Sequence, residues 1–519
     1  MGTGLLNFVK NKISKEQKLA FHVTFIFTLL VHMYKFTNTL LNHDAMYNVY
    51  SDQNMIGLGR WALKLACGMS SYYDLPWVNG VLSCVFIALT AAIIVTLFRI
   101  RNPILIFITG ALLASSPATT ETFFFLFTAD GYMISMALAA LSVYLARVEE
   151  KRIWMYVLST VCACLSCGIY QAYISFALIL AVCHLLYELM RNAYKPREYF
   201  LWILRQVLIF GLALAAYYVI WQLVLLRAGS SASNYQGISE AGTIKLDLLL
   251  QGLRNAYSFV AFYFFELAAW GSPWSLYGIL NAVALIVLAV GVILASVKSG
   301  IIHRPWAIVL VVLCLAAVIP FAGMWCFTSS EIYYRPMMMQ SLMVLLILAG
   351  LLYEEWGRGF VKDVAGLLLV VIVMHNAIIT NISYFYMNLC YERTYADAAE
   401  IAAEIHNVQD ESEYTDVAIL GNRFDQFVWG YMNPDGNGLS KEGNIYILTG
   451  LLEKNLMVDA DQISGFLKWY MGMDLVRASG EKCNALKASQ EVREMPSWPA
   501  DGSIQVVEDT LVIKISELE

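Results

Sequence analysis

Apolar runs of similar length, separated by short polar turns, set the rhythm of this chain. They lie near residues 19–41, 76–98, 104–118, 130–146, 153–169, 172–190, 203–226, 275–297, 305–327, 337–353 and 364–380. A helix crosses the ~30 Å hydrocarbon core of a bilayer in about 20 residues, so the pattern predicts a polytopic α-helical membrane protein with about eleven transmembrane helices. The run NAYSFVAFYFFELAAW (255–270) is shorter and carries Glu266, which predicts an interfacial or re-entrant helix instead of a twelfth span. The first run starts at Leu19 behind the basic, polar stretch MGTGLLNFVKNKISKEQK. It is longer than a signal-peptide core and has no A-x-A-like cleavage site, so it reads as a retained span.

The rhythm changes after residue 380. YERTYADAAEIAAEIHNV has a helical period with an acidic, polar face, DVAILG reads as a strand, and GSIQVVEDTLVIKIS reads as a hairpin with Glu508 and Asp509 at its turn. The expected organisation is a transmembrane domain over 1–380, with outer loops at 42–75 and 228–274, and a small α/β C-terminal domain over 381–519.

Charge sharpens this picture. Charged residues are only 14% of the chain, against roughly 25% in soluble domains. With the N-terminus inside, the inner segments hold seventeen Lys and Arg: Lys10, Lys12, Lys15, Lys18, Arg99, Arg101, Arg147, Lys151, Arg152, Arg191, Lys195, Arg197, Arg205, Lys298, Arg304, Arg358 and Lys362. The outer loops hold six, Arg60, Lys64, Arg227, Lys245, Arg254 and Arg335. Basic residues concentrate on the cytoplasmic side, which supports this topology and places the C-terminal domain outside the cytoplasm. A twelfth span at 255–270 would carry the last four inner residues outside. No acidic or basic tail points to nucleic acid. CACLSC (162–167) imitates a metal cluster, but its apolar setting favours packing.

Candidate chemistry gathers in the outer loops. LLNHDAMYNVYSDQNMIGLGRW (40–61) brings Asp44 and Asp52 directly after the first span. Met55, Leu58, Ala62 and Leu65 then follow at helical spacing, with Arg60 and Lys64 on another face, which predicts an interfacial helix with Trp61 at the headgroup boundary. A carboxylate held there can act as a general base or bind a divalent cation, while capping or simple solvation is the plainer alternative. SSPATTETFFFLFTADGY carries Glu121 and Asp130 around a Phe-rich stretch and reads as a second outer loop or a partly buried re-entrant segment. CGIYQAYISF places Tyr170 and Gln171 between two spans, where a glutamine bonds neighbouring helices or a substrate. TSSEIYYRPMMMQ carries Arg335, whose planar fork suits a phosphate or its neighbour Glu331.

Several classes are disfavoured. There is no Walker A loop, no G-x-G-x-x-G between strand and helix, no H-E-x-x-H and no G-x-S-x-G. Ionisable groups deep in the spans, such as Lys35 and His375, are few, unlike the midplane sites of ion-coupled transporters.

Four segments together resemble a family: NHDAMYNVYSDQNMIGLGRW, LSCGIYQAYISF, EIYYRP and MPSWPADGSIQVVEDTLVIKIS. The chain resembles the bacterial serotype-converting type II glucosyltransferases, membrane enzymes of GT-C glycosyltransferase architecture. The resemblance implies a GT-C-like catalytic domain in the cytoplasmic (inner) membrane. It implies an inverting transfer of a sugar, usually glucose, from a polyprenyl-phosphate carrier to a hydroxyl of a cell-envelope glycan. It carries the general base to Asp44, with Asp52 as the alternative base or a metal or acceptor contact. Arg335 and Arg60 become donor-phosphate ligands, and Glu121, Asp130, Tyr170, Gln171 and Tyr334 substrate-binding candidates. Some enzymes of this architecture use a metal and others none, so no cofactor is assigned and a divalent cation stays open. Donor, acceptor glycan and membrane lipid are the expected partners. The competing readings are a lipid-linked sugar flippase or other transporter, and an envelope glycan polymerase or ligase.

Overall fold

The structure is a computed structural model that describes residues 13–235, 246–267, 274–327, 335–411, 413–423 and 455–518. Tyr334 and Glu331 lie outside the described residues. Two compact units divide the rest: 13–37 with 52–382, and 38–51 with 383–518.

The first unit is a helical bundle. Its elements are α1 (Lys15–Thr37), α2 (Pro76–Leu97), α3 (Pro103–Ala114), α4 (Pro117–Phe124), α5 (Leu126–Leu145), α6 (Ile153–Ile169), α7 (Tyr173–Met190), α8 (Pro196–Ala228), α9 (Leu246–Phe265), α10 (Leu276–Lys298), α11 (Pro305–Ala322), α12 (Met343–Trp356) and the start of α13 (Phe360–Glu411). Among the described residues ten helices are long and apolar enough to cross a membrane, α3 and α4 counting as one, and α6 is a shorter apolar helix. Every expected run is therefore helical. α9, which contains much of the run expected not to span, is not among the ten. α7 and α12 are buried almost throughout, whereas α8, α10 and α11 expose Val207, Leu212, Leu223, Ile286, Ile293 and Val312. Apolar surface turned outward on long helices suits contact with lipid.

The stretch expected as a second outer loop is instead helical and buried. Ser115 and Ser116 interrupt the helix, and Pro117 restarts it with Ser116 as N-cap, its side chain accepting from the Ala118 N–H. A break inside a bundle frees carbonyls that must find partners. Leu113 O accepts from Thr119 Oγ1 (2.8 Å) and Gln340 Nε2 (3.3 Å), and Ala114 O lies 2.9 Å from His32 Nε2. Thr122 Oγ1 bonds back to Ala118 O at 2.8 Å, which lets a polar run stay helical without water. Glu121 (3% exposed) and Asp130 (1% exposed) thus sit on α4 and α5 inside the bundle.

At one end of this unit the short turns are tied by ions and hydrogen bonds. Arg99 contacts Glu149 and Glu188, Arg147 contacts Glu149 and Glu150, and Arg152 pairs with Glu150 at 2.7 Å. Asn192 Nδ2 donates to Ser299 O, Arg304 Nη1 donates to Asn192 Oδ1, and Lys298 Nζ donates to Trp356 O. The turns carrying most of the seventeen basic residues are therefore neighbours in space.

The second unit holds a three-stranded sheet of order β1-β3-β2: β1 (Asp416–Leu420), β2 (Ile504–Val507) and β3 (Thr510–Lys514). β2 and β3 form the expected antiparallel hairpin, with Val507 opposite Thr510 and Glu508 at φ 56° in the turn; β1 adds parallel to β3. Ala418, Leu420, Leu486, Val492, Met495, Val507 and Val512 make its core. α14 (Ala460–Met471) starts at a capping box between Asp459 and Gln462 and buries Ile463, Phe466 and Leu467. The last apolar run and the acidic helix after it prove continuous as α13, in which Gly366 is the only glycine and no proline interrupts.

Candidate active site

The loop after α1 departs most from its expected form. Met55 to Leu65 has the period of one amphipathic helix, yet the chain makes a 3₁₀ turn at Ile56–Leu58 and a separate short helix at Leu63–Cys67. Gly59 stands between them at φ 75°, a conformation that glycine adopts without the clash of a Cβ. A Cβ there would lie 2.3 Å from Tyr217 Oη and 2.6 Å from Gln171 Nε2. Trp61 packs on Gly168, where a Cβ would stand 2.5 Å from Trp61 Cζ2. The Ala62 N–H donates to Gly168 O at 2.8 Å and draws the loop onto α6.

This turn directs Arg60 onto two stacked tyrosines. The Tyr132 and Tyr170 rings lie 4.1 Å apart and 8° from parallel. Arg60 Cζ stands 4.8 Å from the Tyr170 ring centroid, and Arg60 Nη1 donates to Tyr132 Oη at 2.8 Å. Burial first, then the neighbouring Tyr132 hydroxyl, pushes the Tyr170 hydroxyl up against the pull of Arg60 and Arg335, so the phenol stays neutral. Arg60 Nε is buried without a hydrogen-bond partner, and among the described residues Arg60 forms no ion pair. A guanidinium so desolvated is a ready receptor for an anion.

Arg335 belongs to the same charge neighbourhood, since it acts on the Tyr170 hydroxyl together with Arg60. It donates from Nη2 to Tyr235 Oη, with Cζ 5.8 Å from that ring's centroid. The segment that carries Tyr235 also bonds the first loop, Ser233 N–H donating to Gly57 O at 2.8 Å. Gln171 Nε2 donates to Leu58 O (2.7 Å) and Tyr217 Oη (2.9 Å).

The remaining candidates differ in setting. Glu121 lies beside the Met337 N–H and within charge reach of Arg335, and its Oε1 is buried without a partner. The Asp130 carboxylate lies beside Ser70 and Cys67, but neither oxygen finds an aligned donor among the described residues. Asp52 pairs with Lys64 at 2.6 Å, and that hydrogen bond holds its carboxyl below the usual range. Asp44 belongs to the second unit, at the N-cap of the turn Ala45–Asn48 but without a capping bond. Its carboxylate is 40% exposed, with Oδ1 3.2 Å from His43 Nε2. Its neighbour Tyr47 donates to Asp459 at 3.2 Å. Among the described residues no three His, Cys, Asp or Glu side chains gather to hold a metal ion.

The sequence profile of the glucosyl transferase GtrII family matches residues 33–353, more than half of the chain. The chain belongs to the GtrII glucosyl transferase family. Membership makes it a glycosyltransferase, and the matched segment carries Asp44, Asp52, Arg60, Glu121, Asp130, Tyr170, Gln171 and Arg335. Neither a curated protein nor a solved structure matches it. In this GtrII chain the sequence reading missed Tyr132, Tyr217, Trp221 and Tyr235. Tyr132 follows Asp130 by two positions on α5, and that closeness to a polar candidate was the only local signal. Tyr217 and Trp221 sit four apart on α8, a helical spacing that marks one face without naming its partner.

Proposed function

We propose that this GtrII enzyme moves a glucose from a polyprenyl-phosphate carrier to a hydroxyl of a bacterial cell-envelope glycan, with inversion, through a GT-C-like membrane domain. The supporting observation is the desolvated Arg60 guanidinium on the Tyr132–Tyr170 stack, with Arg335 in its charge neighbourhood and no carboxylate paired with Arg60 among the described residues. An anion is the missing partner, and a sugar phosphate ester supplies one. Apolar faces on α8, α10 and α11 suit a donor whose tail stays in lipid. In this reading the N-terminus is cytoplasmic, the loops bearing Arg60 and Arg335 lie at the outer face of the inner membrane, and the C-terminal unit is extracytoplasmic.

The chemistry is one displacement. The acceptor oxygen attacks the anomeric carbon, the bond from that carbon to the phosphate oxygen breaks, and polyprenyl phosphate leaves with the electron pair. Arg60 and Arg335 stabilise the charge that grows on the leaving phosphate. Asp44 takes the acceptor's proton; its open carboxylate fits that task better than Asp52, which Lys64 already occupies.

The test uses purified full chain, polyprenyl-phosphate glucose and envelope polysaccharide from the cells that make the enzyme. Release of polyprenyl phosphate, with a product of opposite anomeric configuration by NMR, is expected. Asp44→Asn should abolish release while donor binding persists; undiminished turnover would move the base elsewhere. Arg335→Ala should chiefly raise the donor concentration required, and an unchanged requirement would remove it from the phosphate site.

A further inference from the structure

Residues 55–65 have the pattern of a continuous amphipathic helix, and the structure shows what prevents it. In such a helix the Ile56, Gly57 and Leu58 carbonyls would accept from the N–H groups of Arg60, Trp61 and Ala62. Each carbonyl is taken instead by a group from elsewhere in the same unit. Ile56 O accepts from Trp221 Nε1 (2.7 Å), Gly57 O from the Ser233 N–H (2.8 Å), and Leu58 O from Gln171 Nε2 (2.7 Å). The Ala62 N–H turns away to Gly168 O at 2.8 Å.

We propose that Gln171, backed by Tyr217, is a positioning residue that sets Arg60. Its amide does two things at once. It captures the Leu58 carbonyl, which would otherwise close the next helical turn, and with Tyr217 Oη it fills the space beside Gly59 that any side chain there would need. Gly59, which has no Cβ to clash, passes this crowded point in the left-handed conformation, and that reversal carries the Arg60 guanidinium inward to the Tyr132–Tyr170 stack. Without the clamp the segment relaxes into the interfacial helix that its sequence favours, and Arg60 moves to the surface with Lys64. In this role Gln171 acts through Arg60.

The value of this clamp for transfer rests on Arg60 as a donor-phosphate ligand, so the test separates the two ideas. Purified full-length variants in detergent micelles are assayed for binding of radiolabelled polyprenyl-phosphate glucose and for trypsin cleavage after Arg60, followed by mass spectrometry. Gln171→Leu and, by an independent route, Gly59→Ala should each weaken donor binding about tenfold, the scale of one buried hydrogen bond to the machinery. Both should speed cleavage after Arg60 about tenfold or more, because only an unclamped segment enters a protease. Tyr217→Phe, which keeps the bond to Leu58 O, should act in the same direction and less. Combined with Arg60→Lys, neither variant should weaken donor binding further. Additive losses with Arg60→Lys, or cleavage as slow as in the native chain, would overturn the proposal. If Arg60→Lys alone binds donor normally, the phosphate reading fails; the clamp then stands with faster cleavage in Gln171→Leu and falls without it.

Discussion

Arg99, Arg147 and Arg152, in the short turns at one end of the bundle, each lie within 3.3 Å of a glutamate. Arg60 and Arg335, in the loops at the other end, have tyrosines for neighbours, and among the described residues neither makes an ion pair. The first set holds the turns together, since removing one member of such a cluster strands its partner. The second set keeps its charge free of carboxylates among the described residues, and for Arg60, whose Nε is buried without a partner, this costs stability and is retained where an anion must be bound. Arginines of one chain thus divide by their company into those that shape the fold and those that await a ligand.

The largest expected effect would break or uphold that division directly. Arg60→Ala should slow glucosyl transfer about 100-fold, the scale for losing one donor to a developing oxyanion, while the melting temperature holds or rises. A large fall in melting temperature with transfer intact would place Arg60 among the structural arginines. Glu188→Gln tests the other end. Glu188 is fully buried against Arg99, whose side chain is 40% exposed, and the solvent screening of Arg99 limits the expected loss to about 1–2 kcal/mol by thermal unfolding. Donor binding should not change.

Asp74 extends the contrast to a carboxylate whose Oδ1 is buried without a hydrogen-bond partner among the described residues. Burial, opposed by the charge of Lys35, pushes its carboxyl from 3.8 up to about 6. A raised carboxyl pKa means that the folded chain holds a proton the unfolded chain has lost. Its contribution to stability is full below pH 3.8, falls as pH rises to about 6 and is flat above. Asp74→Asn should remove that slope from melting curves recorded between these values, and a parallel curve would remove Asp74 as its source. The smallest effect belongs to Lys64→Ala. Its pair with Asp52 is 50% and 42% exposed, so the loss should stay below about 0.5 kcal/mol with transfer unchanged.

The local code explains which features were legible in the sequence. Apolar runs near 20 residues become helices because backbone groups without water must bond within their own segment. The hairpin around Glu508 and Asp509 was equally local, two alternating runs joined by two polar residues. The loops expected outside could be recognised as the polar-bearing segments, and Arg60, Tyr170 and Gln171 among them do meet in space.

What the sequence determined by itself was therefore the helical architecture and the segments that carry its chemistry, since each depends on period, length and composition within one stretch; which apolar faces turn outward was decided by packing. The tertiary structure alone decided which polar group faces which. Thr and Ser back-bonds with His32 and Gln340 made the Glu121 stretch a buried helix instead of a loop. Three distant groups took the carbonyls of 56 to 58 and ended an interfacial helix at Gly59. Hydrogen bonds are short and directional, and Gln171 and Trp221 lie more than one hundred residues from the carbonyls they hold, so no local pattern could announce that turn.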